Sequence, residues 1–265
     1  MSFLDEVTPV VLTYNEAENI ERTLAGLTWA EDIVVVDSFS SDRTLDLIQA
    51  MPQTRVLQRR FDSHAQQWNF AIGETGIGTE WVLALDADYI VTPAFVEELR
   101  SLRPEPACQG YTADFRYCVM GRPLRGSLYP RGTVLFRRAQ GRYVQAGHTQ
   151  RLLLEGPAGH LRTLLLHDDR KPLARWYQAQ QNYARLEAEH LLLTPRREMR
   201  VTDRIRSWGW LAPPLVFVYT LLVRGCILDG WPGWLYALQR TLAEILIALE
   251  LVDRRLRKQA GNRLE

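Results

Sequence analysis

Cysteine is scarce in this sequence. Three residues in 265, Cys108, Cys118 and Cys226, are odd in number and lack metal-ligand spacing, which argues against a disulfide framework and for free thiols in a reducing compartment. No basic stretch leads into an apolar one at MSFLDEVTPVVLTYNE, so no secretory signal is visible there and the cytoplasm is the expected setting. Long apolar runs are missing too. The uncharged segment WGWLAPPLVFVYTLLV, residues 208–223, has 16 residues against the roughly 20 of a bilayer-spanning helix, and Pro213 and Pro214 interrupt it. No zinc-finger, helix-turn-helix or RNP-like signature accompanies the many arginines, so nucleic acid is not an expected partner. The stretch TYNEAEN, after the first strand, has neither the glycines nor the basic residue that a nucleotidyltransferase loop carries.

What is present is unevenly distributed. Residues 1–100 hold 6 Lys and Arg against 17 Asp and Glu, whereas residues 101–265 hold 26 against 14, almost all of that positive charge being arginine. An acidic first part suits metal binding, and an arginine-rich remainder suits phosphate groups or an anionic membrane surface. Strand patterns TPVVLTY, DIVVVDS, TRVLQRRF and TEWVLALDAD alternate with helical patterns NEAENIERTLAGL, SDRTLDLIQAM and HAQQWNFAIGE. This βαβαβαβ order predicts an α/β domain with a mostly parallel, Rossmann-like sheet whose ligands sit at the carboxyl ends of the strands.

Those ends carry carboxylates. Strand one runs out at Tyr14, Asn15 and Glu16, strand two at Asp37 and Ser38, strand four at Asp86 and Asp88. Glu16 in a first helical turn and Asp37 as a cap are each ordinary alone. Asp86 and Asp88, two apart on extended backbone, point the same way, and like charges so placed call for a cation. A hard divalent ion takes oxygen ligands and can bridge them to a diphosphate.

The segments VVLTYNEAENIERTLAGL, DIVVVDSFSSDRTLDLI and WVLALDADYIV resemble, in order and spacing, the hallmark segments of family 2 glycosyltransferases with the glycosyltransferase A fold. Downstream, LYPRGTVLFRR, LLLHDDRKPLARWYQAQQNYARLEAE and LVRGCILDGWPGWLYAL resemble the subgroup that includes lipopolysaccharide core glucosyltransferases. The resemblance implies an inverting hexosyltransferase that uses a nucleoside diphosphate sugar, chiefly a UDP-sugar, and a lipid-linked or lipopolysaccharide-like glycan acceptor. It implies that Asp37 accepts hydrogen bonds from the base, that Glu16 with the backbone near Thr13 and Tyr14 lies against ribose and base, and that Asp86 contacts the sugar or ribose side. Asp88 would ligate Mn²⁺ or Mg²⁺ on the diphosphate, a Lewis-acid role at the leaving group. Gln67 and Asn69 match a family helix and either touch the donor or pack; Trp68 stands between them where a basic residue is common, with Arg59 or Arg60 as substitutes. His167, after LRTLLL, is either a third metal ligand or a partner of the neighbouring loop.

One departure concerns the base. Related enzymes have a His-Glu pair where this chain has His148 and Thr149. The candidates for deprotonating an acceptor hydroxyl are then His148, Asp168 or Asp169. An already ionised phosphate acceptor, as in polyprenyl-phosphate glycosyltransferases, would need no base, and a nucleotide-sugar-binding protein without catalysis stays open as well. The six arginines from Arg116 to Arg138 suit either an anionic acceptor or a solvated face.

The expected organisation is a nucleotide-sugar-binding region over 1–100, an acceptor region over 101–170 and a helical extension over 171–265. Tryptophans 208, 210, 231 and 234, flanked by Arg196, Arg197, Arg200, Arg204 and Arg206 before them and Arg254, Arg255, Arg257 and Lys258 after, suggest a peripheral or monotopic contact with the inner face of the cell membrane. Packing within the protein or in a homo-oligomer is the alternative, because Leu238, Leu242, Ile245, Leu246 and Leu249 form a helical stripe.

Overall fold

Valine-rich runs build the centre of the molecule. The computed structural model describes residues 2–146 and 149–261. Its chain order is β1 (Val7–Thr13), α1 (Ile20–Ala25), β2 (Ile33–Asp37), α2 (Thr44–Gln49), β3 (Thr54–Gln58), α3 (His64–Gly73), β4 (Trp81–Asp86), β5 (Tyr89–Ile90) and α4 (Pro93–Ser101). Then come β6 (Gly110–Ala113), β7 (Phe115–Val119), β8 (Arg122–Pro123), β9 (Gly132–Arg137), β10 (Gly141–Ala146), β11 (Thr149–Leu154), β12 (Ala158–His160) and β13 (Leu165–His167). Helices α5 (Leu173–Leu193), α6 (Val201–Ser207), α7 (Ala212–Val218) and α8 (Trp231–Gly261) complete it.

A seven-stranded sheet runs β12-β6-β9-β4-β1-β2-β3. Strands β4, β1, β2 and β3 are mutually parallel, and β9 lies antiparallel to both β4 and β6. The mostly parallel α/β sheet read from the sequence is therefore present. Strands buried on both faces read as continuous apolar runs, and β1, β2 and β4 do so. Trp81, Leu83, Phe95 and Leu99 fill one side of the sheet, and Trp68, Val82 and Phe136 the other. A large apolar side chain so buried contributes about 1.5–3 kcal/mol.

The described residues form two compact units, Met1–Pro123 with Tyr129–Lys171, and Leu124–Leu128 with Pro172–Glu265. Residues 1–100 and 101–170, read from the sequence as separate regions, share the first unit, because β6 and β9 extend the sheet of β4 and β1. The exception is 124–128, which belongs to the second unit. Its Leu128 N–H donates to the Tyr236 hydroxyl at 2.8 Å, and the Ser127 carbonyl accepts from Arg224 Nη2 at 2.7 Å.

Two local expectations change. The helix read over 15–27 is confined to Ile20–Ala25, because Asn15 takes a left-handed backbone (φ 55°) and residues 15–17 bind the loop after β2. The strand read over 79–88 stops at Asp86, so Asp88 sits in a tight turn before β5, not on extended backbone beside Asp86.

Candidate active site

The carboxyl ends of β1, β2 and β4 converge because their registers align. Thr13 pairs with Asp37, and Leu12 with Asp86. A second, four-stranded sheet β5-β13-β7-β8 brings His167 to the same place, since His167 pairs with Tyr89 on one side and Tyr117 on the other. The Asp168 N–H also donates to the Asp88 carbonyl at 3.0 Å.

His167 Nε2 lies 3.1 Å from Asp88 Oδ2. Burial would lower the imidazole's pKa, but the Asp88 carboxylate outweighs it and raises it. Burial likewise acts to raise Asp88, and His167 reverses that, holding it below the usual carboxylate range. Burial and the Asp88 charge push Asp86 up to about 6. The rings of Tyr89, Tyr117 and Tyr129 surround His167, with centroids 5.5, 4.8 and 4.4 Å away. Two buried polar atoms in this cluster, Asp88 Oδ1 and His167 Nδ1, have no hydrogen-bond partner among the described residues. A buried carboxylate oxygen left bare is costly unless a ligand meets it, and a hard cation is the chemistry that suits it. Among the described residues no three His, Cys, Asp or Glu side chains are grouped to hold an ion by themselves. Asp88 thus presents one bare carboxylate oxygen able to meet a cation, with His167 against its other oxygen.

A second cluster adjoins the first. Lys171 Nζ is 2.6 Å from Glu16 Oε1 and 3.6 Å from Asp169 Oδ1. Burial alone would lower this ammonium; Glu16, Asp169 and Asp88 outweigh it and keep it charged above the ordinary lysine range. Burial lifts the Glu16 carboxyl to about 7, with Lys171 offsetting part and Asp88 adding. Buried Asn19 ties the cluster together: its amide donates to Glu16 and Asp169 at 2.9 Å each, and its oxygen accepts from Arg22 Nη2 and the Arg170 N–H.

Several expected residues prove to be committed inside the fold. Asp168 is fully buried and accepts from Arg22 (2.7 Å), Arg170 (2.8 Å) and the Gly121 N–H (2.9 Å), so it is an anchor and not a base. Gly121 has φ 79°, and a Cβ there would meet Arg170 Nη2 at 2.8 Å. Asp169, partly exposed, keeps closer access to the site. Asp37 is fully buried and accepts from Thr13 Oγ1, the Ser40 N–H and hydroxyl, and Gln58 Nε2, which makes it the organiser of the loop after β2. Tyr14, just beyond Thr13, is exposed.

Gln67 is buried and bonded to Ser38, the Arg59 carbonyl and Arg59 Nη1. Asn69 donates to the Tyr143 carbonyl and accepts from the Tyr143 N–H, both at 2.9 Å. Trp68 stacks on Tyr143 with centroids 5.3 Å apart, so the position faces the core, not a ligand. Packing is thus the observed role of Gln67 and Asn69. Arg59 is held by Asp62 and Gln67, which leaves Arg60 as the exposed one of the pair. Arg131 is held by Asp114, Arg137 by Glu80 and the Trp81 ring, and Arg138 by the Ile72 carbonyl. Arg116 on β7 is exposed. His148 lies outside the described residues.

The residues that sequence reasoning missed are Asn19, Arg22 and Lys171. Their only signal was charge and amide chemistry within two turns of Glu16 or just after HDD, and lysine is rare: the chain has two.

A family model described as glycosyl transferase family 2 matches residues 9–146, just over half of the chain. A curated relative named "Uncharacterized glycosyltransferase" from Rickettsia bellii (strain RML369-C) is 28% identical over 95 residues, which is 36% of this chain and 31% of that protein. The chain therefore matches about a third of that relative's length. Among solved structures, S. aureus TarS 1–349 in complex with UDP-GlcNAc is similar with a TM-score of 0.49 and 14% identity, covering 96% of this chain and 92% of that one. Glucosyl-3-phosphoglycerate synthase from Mycobacterium tuberculosis, in complex with phosphoglyceric acid, has a TM-score of 0.46 and 16% identity over 69% of this chain and 78% of its own.

Proposed function

This chain belongs to glycosyl transferase family 2, and on that premise we propose that it transfers a hexose, with inversion, from a UDP-sugar to a lipid-linked or lipopolysaccharide-like acceptor at an anionic membrane surface. The observation that carries the donor side is the bare, buried Asp88 Oδ1 among strand-end carboxylates, with His167 against its other oxygen. Asp88 would hold Mn²⁺ or Mg²⁺ with His167 beside it. Bound there, the ion supplies Lewis-acid stabilisation of a departing diphosphate.

The chain's own groups do the rest. Asp37 fixes the loop that borders the nucleotide, and Lys171 supplies fixed positive charge against Glu16 and Asp169. An acceptor hydroxyl must lose its proton as the glycosidic bond forms, and a positioned base contributes roughly 10²–10⁴-fold. Asp168 is locked by three donors, and of the remaining candidates, His148 and Asp169, we assign that task to His148, whose ordinary pKa of about 6.5 suits it.

Support for the membrane part lies in the second unit. Trp208, Trp210, Leu222, Val223, Leu228 and Trp231 are all exposed, Trp210 by 72%. Exposed large apolar side chains in this number are what an interaction surface uses, and tryptophan with flanking arginine matches a headgroup layer. No described helix is long and apolar enough to cross a membrane.

Calorimetric titration with UDP-, GDP- and TDP-sugars, with and without Mn²⁺, tests the donor assignment on the wild type and Asp88→Ala. One UDP-sugar should bind in a metal-dependent manner, and Asp88→Ala should cut turnover by about 10³-fold, the several kcal/mol of a lost Lewis acid. Full activity in Asp88→Ala would end the metal assignment.

A further inference from the structure

Among the described residues, three other than glycine have a left-handed backbone: Asn15 (φ 55°), Phe39 (φ 61°) and Met120 (φ 51°). Two have a structural reason. Asparagine tolerates this region, and the Asn15 side chain accepts from the Ser41 N–H at 2.7 Å. Met120 and Gly121 form the two-residue turn between β7 and β8, with Val119 opposite Arg122, and such hairpin turns demand positive φ at both central positions.

Phe39 is different. The turn from Asp37 to Ser40, closed by the Ser40 N–H on Asp37 Oδ1 at 2.9 Å, requires the backbone conformation at 39 but not the phenyl group. Glycine would adopt it freely. The ring is 51% exposed and has no aromatic partner among the described residues. A left-handed backbone at a non-glycine residue costs stability, and strain of this kind collects at ligand sites.

Its position says which ligand. Phe39 follows Asp37 at the end of β2, beside the end of β1, where Ser38 N–H donates to the Thr13 carbonyl at 2.9 Å and Tyr14 is 54% exposed. We infer that Phe39 is a donor-binding residue, offering its face to the nucleobase on the side of the β2 loop, with Tyr14 at the neighbouring strand end. The inference rests on the nucleotide-sugar assignment made above. Stacking of a base on an aromatic ring is strong enough to make its loss cost about tenfold in affinity.

Titration of the full chain with UDP, and with GDP and TDP in parallel, is run on the wild type, Phe39→Gly, Phe39→Leu and Phe39→Trp, each with a thermal melt. Phe39→Gly should melt no lower than the wild type yet bind UDP about tenfold more weakly. Phe39→Leu, apolar but not flat, should lose as much, and Phe39→Trp should bind as the wild type does. A glycine variant with wild-type UDP affinity, or a tryptophan variant as weak as the leucine one, overturns the role of Phe39 and leaves the donor assignment standing. A wild type that binds none of the three nucleotides overturns the donor assignment, and the role of Phe39 falls with it.

Discussion

Glu16 and Lys171 face each other as a largely buried pair whose protonation the fold controls. The Glu16 carboxyl is raised from 4.5 to about 7, chiefly by burial. A folded-state value above the unfolded one stabilises the protein fully below pH 4.5, and the contribution disappears as pH rises through 7. Glu16→Gln removes this titration, so the stability difference between wild type and variant should move against the wild type by on the order of 3 kcal/mol between pH 4 and pH 8. Urea denaturation at the two pH values measures it; an unchanged difference would mean that folding leaves the Glu16 pKa where it is in the unfolded chain. The carboxylates Glu16, Asp86 and Asp88 are legible in the sequence because strand ends in an α/β pattern announce where ligands go. Asp168 and Asp169 are not. They are identical and adjacent, yet one is sealed under Arg22 and Arg170 while the other is partly open, and Arg22 lies 146 positions away in the chain.

At the scale of elements, the periodicity read α3 within a residue but could not say which of its faces is functional. Gln67 and Asn69 look like ligand-binding groups by type, and only their distant partners show otherwise: α3 uses Asn69 to fasten β10 through Tyr143, and Gln67 to hold Ser38 and Arg59. The shortening of α1 was hidden for a similar reason: the competing partners of residues 15–17 are Ser40 and Asp42 in the loop after β2 and Thr44 at the start of α2. Among the C-terminal helices, one arginine holds three elements. Arg206 on α6 reaches Glu244 on α8 at 2.6 Å and Glu187 on α5 at 3.2 Å, both carboxylates being buried. Arg206→Ala leaves two buried charges without their partner and should cost about 3–5 kcal/mol, measured as a lower urea midpoint by tryptophan fluorescence. Arg206→Lys should recover only part, because an ammonium cannot make the forked contact. An alanine variant as stable as the wild type would show that α5, α6 and α8 are held by their apolar contacts alone.

For the whole molecule, the sequence foretold the sheet and the uneven charge, but not that 124–128 leaves the first unit to join the helices; no composition shift marks it. The exposed tryptophans of the second unit carry the membrane proposal, and its occupant is an anionic bilayer. The full chain should sediment with vesicles containing phosphatidylglycerol and remain free with phosphatidylcholine alone, and rising salt should release it as screening shortens the reach of the arginines. Trp210→Ser with Trp231→Ser should weaken binding severalfold. Self-association by light scattering without vesicle binding would assign the face to a second copy of the chain instead. The Asn69 amide has a consequence beyond fastening. β10 and β11 form a two-stranded ribbon, and Tyr143 turns its N–H and C=O away from β11, where a foreign strand would dock; an asparagine that mimics one residue of a neighbouring strand occupies those groups and guards the ribbon against aggregation.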